Sequence, residues 1–194
     1  MEGLIQRVKS KQKKFFEISK SIISLDAILS QCLPAENECI KLISFDGGFA
    51  SISFISLVAR KETIMELTAS TLRIGEKQFM HLAKLSQAGK LNKATFFLSA
   101  LMKTDKKRID KYNYYSKFEE ICKINNWDRV VVNNHSKIIL MRTQDNYYVL
   151  ETSSNLNENP KIEQYSFEND KVVYDFYYNF FKILKGVNQY GRSS

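Results

Sequence analysis

Histidine is scarce in this chain: among 194 residues there are only His81 and His135. Cysteine is nearly as rare. Cys32, Cys39 and Cys122 form no CxxC pattern and cannot all pair, so no disulfide framework is predicted, and no metal or cofactor cluster. They read as reduced thiols of a cytoplasmic protein. Two prolines and seven glycines are too few for a linker or low-complexity chain. The longest apolar stretches, such as "FASISFISLVA", are too short and too polar to cross a bilayer. The opening "MEGLIQRVKSKQKKFF" has no unbroken apolar stretch and no small-residue cleavage site, so no secretion signal is expected.

What is present is core and positive charge. Hydrophobic residues are 44% of the chain and aromatics 12%, enough for a packed domain of this length. The formal net charge is +8. That balance serves solubility, and it also favours a polyanionic partner.

The elements follow from periodicity. A helical opening is expected over about Leu4 to Cys32, then a buried strand "CIKLISF" (Cys39–Phe45), with "DGG" as a turn. "FASISFISLVARK" has helical spacing, "TIMELTAS" reads as a strand, and "GEKQFMHLAKLSQAG" as a helix closed by Gly89. "KATFFLSALM" reads as a strand and "KKRIDKYNYYSKFEEICKINN" as an amphipathic helix. Three strands come next, "DRVVVNN", "HSKIILMR" and "YYVLETSS", the last two joined by a "TQDN" hairpin turn. A final aromatic helix is expected over about Glu168 to Leu184. The domain boundaries that result are a helical segment over 1–38, the main domain over 39–186, and a tail over 187–194. Strands alternating with helices and ending in a strand cluster predict an α/β sandwich with a mixed sheet.

His135 and Lys137 stand two apart on a predicted strand, which sends both side chains to one face. "ETSSNLNENPKIEQ" follows the next strand of the same hairpin, placing hydroxyls and amides near the imidazole and ammonium. Such a group suits a phosphate: Lys137 as a point charge, Ser153 and Asn155 as neutral donors.

These residues resemble the phospholipase D superfamily, whose signature is H-x-K-x4-D-x6-G-S-x-N. "HSK" supplies His135 and Lys137, and "TSSN" is similar to G-S-x-N through Ser153 and Asn155, with Thr152 in the glycine's place. An alternative register puts Ser154 at the motif serine. The layout is similar from Cys39 to Leu184, and the motif from His135 to Gln164. "SSNLNENPKIEQ" looks most like the one-motif bacterial and phage-type nuclease branch. Where the family has its aspartate this chain has Arg142; Asp145 is at the right distance before "TSSN" but three residues too far from the histidine. The resemblance implies a phospholipase D-like α/β sandwich with a mixed, largely parallel sheet flanked by helices. It also implies a metal-independent phosphodiesterase without cofactors. In it a histidine attacks phosphorus, a phosphohistidine forms, and a second histidine protonates the leaving oxygen. With one motif per chain, the second histidine is expected from another copy, in a homodimer with a shared site. Glu151 and Glu163 are candidates for orienting a histidine, as acidic residues do in the family.

Other features read more plainly. His81 lies in a helix with no lysine two residues on and reads as an ordinary helix residue. "KSKQKK" (Lys9–Lys14) and "KTDKKRIDK" (Lys103–Lys111) are basic runs that suit either solvent or backbone phosphates. "VVYDFYYNFFKIL" reads as core or interface rather than a base-stacking surface. Net charge and the lack of a membrane segment favour DNA or RNA over a lipid headgroup. The expected function is therefore a nuclease, and the alternative is a catalytically weak nucleic-acid-binding module of a mobile-element or defence system.

Overall fold

A computed structural model describes residues 12–19, 33–45, 50–104, 114–157 and 162–190. The strands are β1 (Gln12–Ser19), β2 (Glu38–Phe45), β3 (Ile64–Thr71), β4 (Leu91–Ser99), β5 (Asp128–Val132), β6 (Ile138–Arg142), β7 (Tyr147–Thr152) and β8 (Glu163–Asn169). The helices are α1 (Ile52–Lys61), α2 (Glu76–Gln87), the short α3 (Leu101–Thr104), α4 (Tyr114–Ile124) and α5 (Lys171–Tyr190). One sheet takes all eight strands in the order β1-β2-β8-β7-β6-β3-β4-β5.

Strand alternation divides the core into two layers. Phe96 and Leu98 of β4, Ile139 and Met141 of β6, and Tyr148 and Leu150 of β7 belong to the larger cluster, which also holds Phe54 and Leu57 of α1, Phe79 of α2 and Phe118 of α4. The residues between them, Phe97, Leu140 and Val149, point the other way, onto Tyr174 and Phe181 of α5. The result is a sandwich of helices on both faces of a mixed sheet, as the sequence pattern predicts.

Helix ends follow their local chemistry. Gly89 ends α2 at φ 68°, a left-handed conformation that glycine adopts without strain. Asp170 opens α5, its Oδ1 accepting from the backbone N–H of Val172 (2.8 Å) and Val173 (3.0 Å).

Four expectations need correction. The helical opening is a strand over Gln12–Ser19, pairing parallel with β2. The apolar spacing of "KKFFEIS" does not distinguish helix from strand, and the edge of β2 offers a free backbone ladder; the rest of that segment lies outside the described residues. The strand "KATFFLSALM" stops at Ser99, whose Oγ accepts from the Leu101 N–H (3.3 Å) as the chain turns into α3. The polar-looking "EQYSFEN" forms β8, so the last helix starts at Lys171, and it runs through the expected tail to Tyr190. With β8 included the sheet is not largely parallel. β1–β2, β3–β4 and β4–β5 are parallel, whereas β2–β8, β8–β7, β7–β6 and β6–β3 are antiparallel. "DGG" and positions 105–111 of the second basic run lie outside the described residues.

Candidate phosphate site

The parallel strands β3, β4 and β5 end on the same side of the sheet on which β6 begins, and Asn134 ties that junction together. Its side-chain N–H donates toward Ser70 Oγ (3.0 Å), Phe97 O (2.9 Å) and Thr71 O (3.3 Å). Its Oδ1 accepts from the N–H (2.9 Å) and hydroxyl (2.8 Å) of Ser136. One amide thus pins the segment before β6 to the ends of two neighbouring strands. Its only signal in the sequence is the pair of asparagines at a strand end, which marks a turn rather than a site.

His135 and Lys137 lie in that pinned segment, just before β6 rather than within it. Backbone pairing still reaches Lys137, whose carbonyl accepts from the Thr152 N–H at 3.2 Å. The Lys137 ammonium donates to the His135 carbonyl (2.8 Å) and lies 3.3 Å from His135 Nδ1. Imidazole and ammonium are therefore close enough to touch the same ligand group. Burial holds the Lys137 pKa below the ordinary lysine value, and the Glu163 carboxylate partly opposes that shift.

Both residues line an open cavity of about 1240 Å³ on the sheet face. Ser153 lines it too, its hydroxyl donating to Glu163 and accepting from the Gln164 N–H (3.0 Å). Glu163 is only 4% exposed. Glu151 is in the cavity wall and accepts from the Tyr177 hydroxyl of α5. Ser154 is buried, its carbonyl accepting from the Ser51 hydroxyl at 3.1 Å. Of the two serines, it is Ser153 that reaches the cavity.

Other candidates lie elsewhere. Asn155 is outside the cavity lining, its Oδ1 3.5 Å from Thr71 Oγ1 at the end of β3. Asp145 is exposed in the β6–β7 turn, at the opposite end from His135 of β6, whose five residues span about 16 Å. Arg142 pairs with Glu66 at 3.5 Å. His81 is on α2, its Nε2 2.8 Å from Ser56 Oγ, with a pKa lowered by burial and by Lys84. Lys41, a cavity-lining residue on β2, was missed from sequence; its signal was a lone lysine within an apolar strand. Among the described residues, no group of three His, Cys, Asp or Glu side chains is placed to hold a metal ion.

No protein-family model matches the chain, and no curated protein matches it. Solved structures do. Polyphosphate kinase from Porphyromonas gingivalis superposes with a TM-score of 0.56 at 15% identity, over 78% of this chain and 24% of that one. Phosphatidylserine synthase from Haemophilus influenzae Rd KW20 does so with a TM-score of 0.52 at 15% identity, over 78% of this chain and 38% of that one. The chain has a phospholipase D-like fold. It spans well under half the length of either phospholipase D-like neighbour, and what it shares with them is the fold.

Proposed function

We propose that this phospholipase D-like chain is a phosphodiesterase that cleaves DNA or RNA without a metal ion, through a phosphohistidine on His135. The observation behind it is the meeting of His135 and Lys137, 3.3 Å apart, on one wall of an open cavity in this fold. A ring nitrogen of His135 attacks phosphorus, the bond to the leaving oxygen breaks, and that oxygen takes a proton from a general acid. Water then attacks phosphorus, the phosphorus–nitrogen bond breaks, and the conjugate base of that acid takes the water's proton. Lys137 holds the charge on the non-bridging oxygens, and Ser153 faces the same space. Glu163 keeps the Ser153 hydroxyl oriented and offsets part of the Lys137 charge. The general acid comes from His135 of a second copy, since His81 lies outside this cavity. The net charge of +8 favours nucleic acid as the substrate, and no described helix is long and apolar enough to cross a membrane.

Arg142 in an ion pair, Thr152 at the motif glycine and Asn155 outside the cavity favour a second reading, in which the pocket grips nucleic acid but turns over slowly. The test is incubation of purified protein with labelled DNA, RNA and bis(p-nitrophenyl) phosphate in EDTA. Cleavage that falls at least a thousandfold in His135→Asn, with an unchanged melting curve, is the expected result. Cleavage at the wild-type rate in that variant overturns the proposed chemistry, and tight binding without cleavage supports the second reading.

A further inference from the structure

The cavity is wider than one phosphate needs. Its far wall is β2, where Lys41 lines the same space as His135 and Lys137. Register places Lys41 opposite Ser166, Ser166 opposite Glu151, and Glu151 opposite Ile138, forming a row across four strands on one sheet face. Three inter-strand steps separate Lys41 from the strand that Lys137 leads into, about 14 Å. That distance exceeds a single phosphate and suits a few linked ones.

Lys41 is built to face a ligand. Its ammonium donates to a neutral group, Ser166 Oγ at 2.6 Å, and Ser166 is itself buried against Cys39, whose Sγ is 3.4 Å from the same oxygen. Among the described residues Lys41 forms no ion pair. Ile43, two residues on and 44% exposed, gives the cavity an apolar wall beside it. Within the row, two strands from Lys41 and one from Ile138, stands Glu151, its carboxylate already accepting from Tyr177. A carboxylate there disfavours an unbroken run of phosphate charge. It suits a ligand whose phosphates are separated by groups that donate hydrogen bonds, as sugars and bases do.

We propose that Lys41 is a second phosphate-binding residue, so that the cavity takes a strand of nucleic acid with one phosphate at His135 and Lys137 and a later one at Lys41. This rests on the reading of His135 and Lys137 as a phosphate site. The experiment measures binding of a fluorescent single-stranded oligonucleotide across a salt series in EDTA, with inorganic polyphosphate as competitor. Lys41→Gln should weaken binding about tenfold and make the salt slope shallower by about one, while Lys41→Arg, which keeps the charge, retains both. Unchanged affinity and slope in Lys41→Gln overturns the proposal. So does equal weakening in Lys41→Gln and Lys41→Arg, which would mean that Lys41 acts through packing. Polyphosphate that competes as well per phosphate as the oligonucleotide overturns the choice of nucleic acid. If Lys41→Gln weakens binding but His135→Asn and Lys137→Ala do not, the reading of the His135 site fails and Lys41 stands as a separate contact.

Discussion

Lys137 is a cation placed where burial works against its charge. Desolvation lowers its pKa, and only Glu163 pulls the other way. The charge it would bring to a phosphate in the proposed function is therefore lost at a lower pH than for a free lysine. Turnover that depends on it should decline on the alkaline side at a pH below the ordinary lysine value of 10.5. Lys137→Arg keeps its charge throughout that range and should move the decline to higher pH. A pH–rate profile of the two proteins checks this, and an identical alkaline limb in both would assign the titration to another group. The neighbouring residues show why a site is only partly legible at this scale. Spacing on paired strands points to His135, Lys137 and Ser153 at one end of a hairpin, and the family resemblance adds Glu151 and Glu163 as candidates. Lys41 comes from a strand nearly a hundred residues earlier, and no local pattern connects it to His135. Asn134 was hidden for another reason: its partners are backbone carbonyls and a serine of β3 and β4, which no spacing rule links to it.

Elements with a strong period were legible and elements decided by their neighbours were not. β3, α2 and β4 carry their signal within themselves, as apolar runs or as helical spacing closed by Gly89. β8 alternates, with Tyr165 and Phe167 in the core and Gln164 and Ser166 on the cavity face, so its polar half leaves no apolar run to mark it as a strand. β1 forms because β2 has an edge to pair with. α5 was recognised as aromatic-rich, but which aromatics are core depends on where the sheet lies. Phe181 is 3% exposed and packs on Phe97 with ring centroids 4.8 Å apart, whereas Phe180 beside it is 56% exposed. Phe181→Ala should therefore cost about 3 kcal/mol or more in unfolding free energy, and Phe180→Ala well under about 1 kcal/mol. Urea denaturation reads both through the transition midpoint. Equal losses would mean that α5 sits on the sheet in a different rotation from the one described.

At the scale of the whole molecule, the proposed chemistry asks for more than one chain offers. The cavity holds one histidine, and the other is on α2, bonded to Ser56. In-line displacement at phosphorus needs a nucleophile on one side and a proton donor on the other. A two-fold contact would supply both from a single patch, because each copy would present the same His135 to the shared phosphate. Sedimentation should accordingly show a dimer. A sharper measurement comes from refolding wild-type and His135→Asn chains together in varied proportion. In a shared site both imidazoles are required, so activity follows the square of the wild-type fraction: at equal amounts, about a quarter of the full rate remains. Independent sites leave about half. A linear dependence, or a stable monomer that cleaves at the full rate, would sink the shared site and require the general acid to come from within one chain.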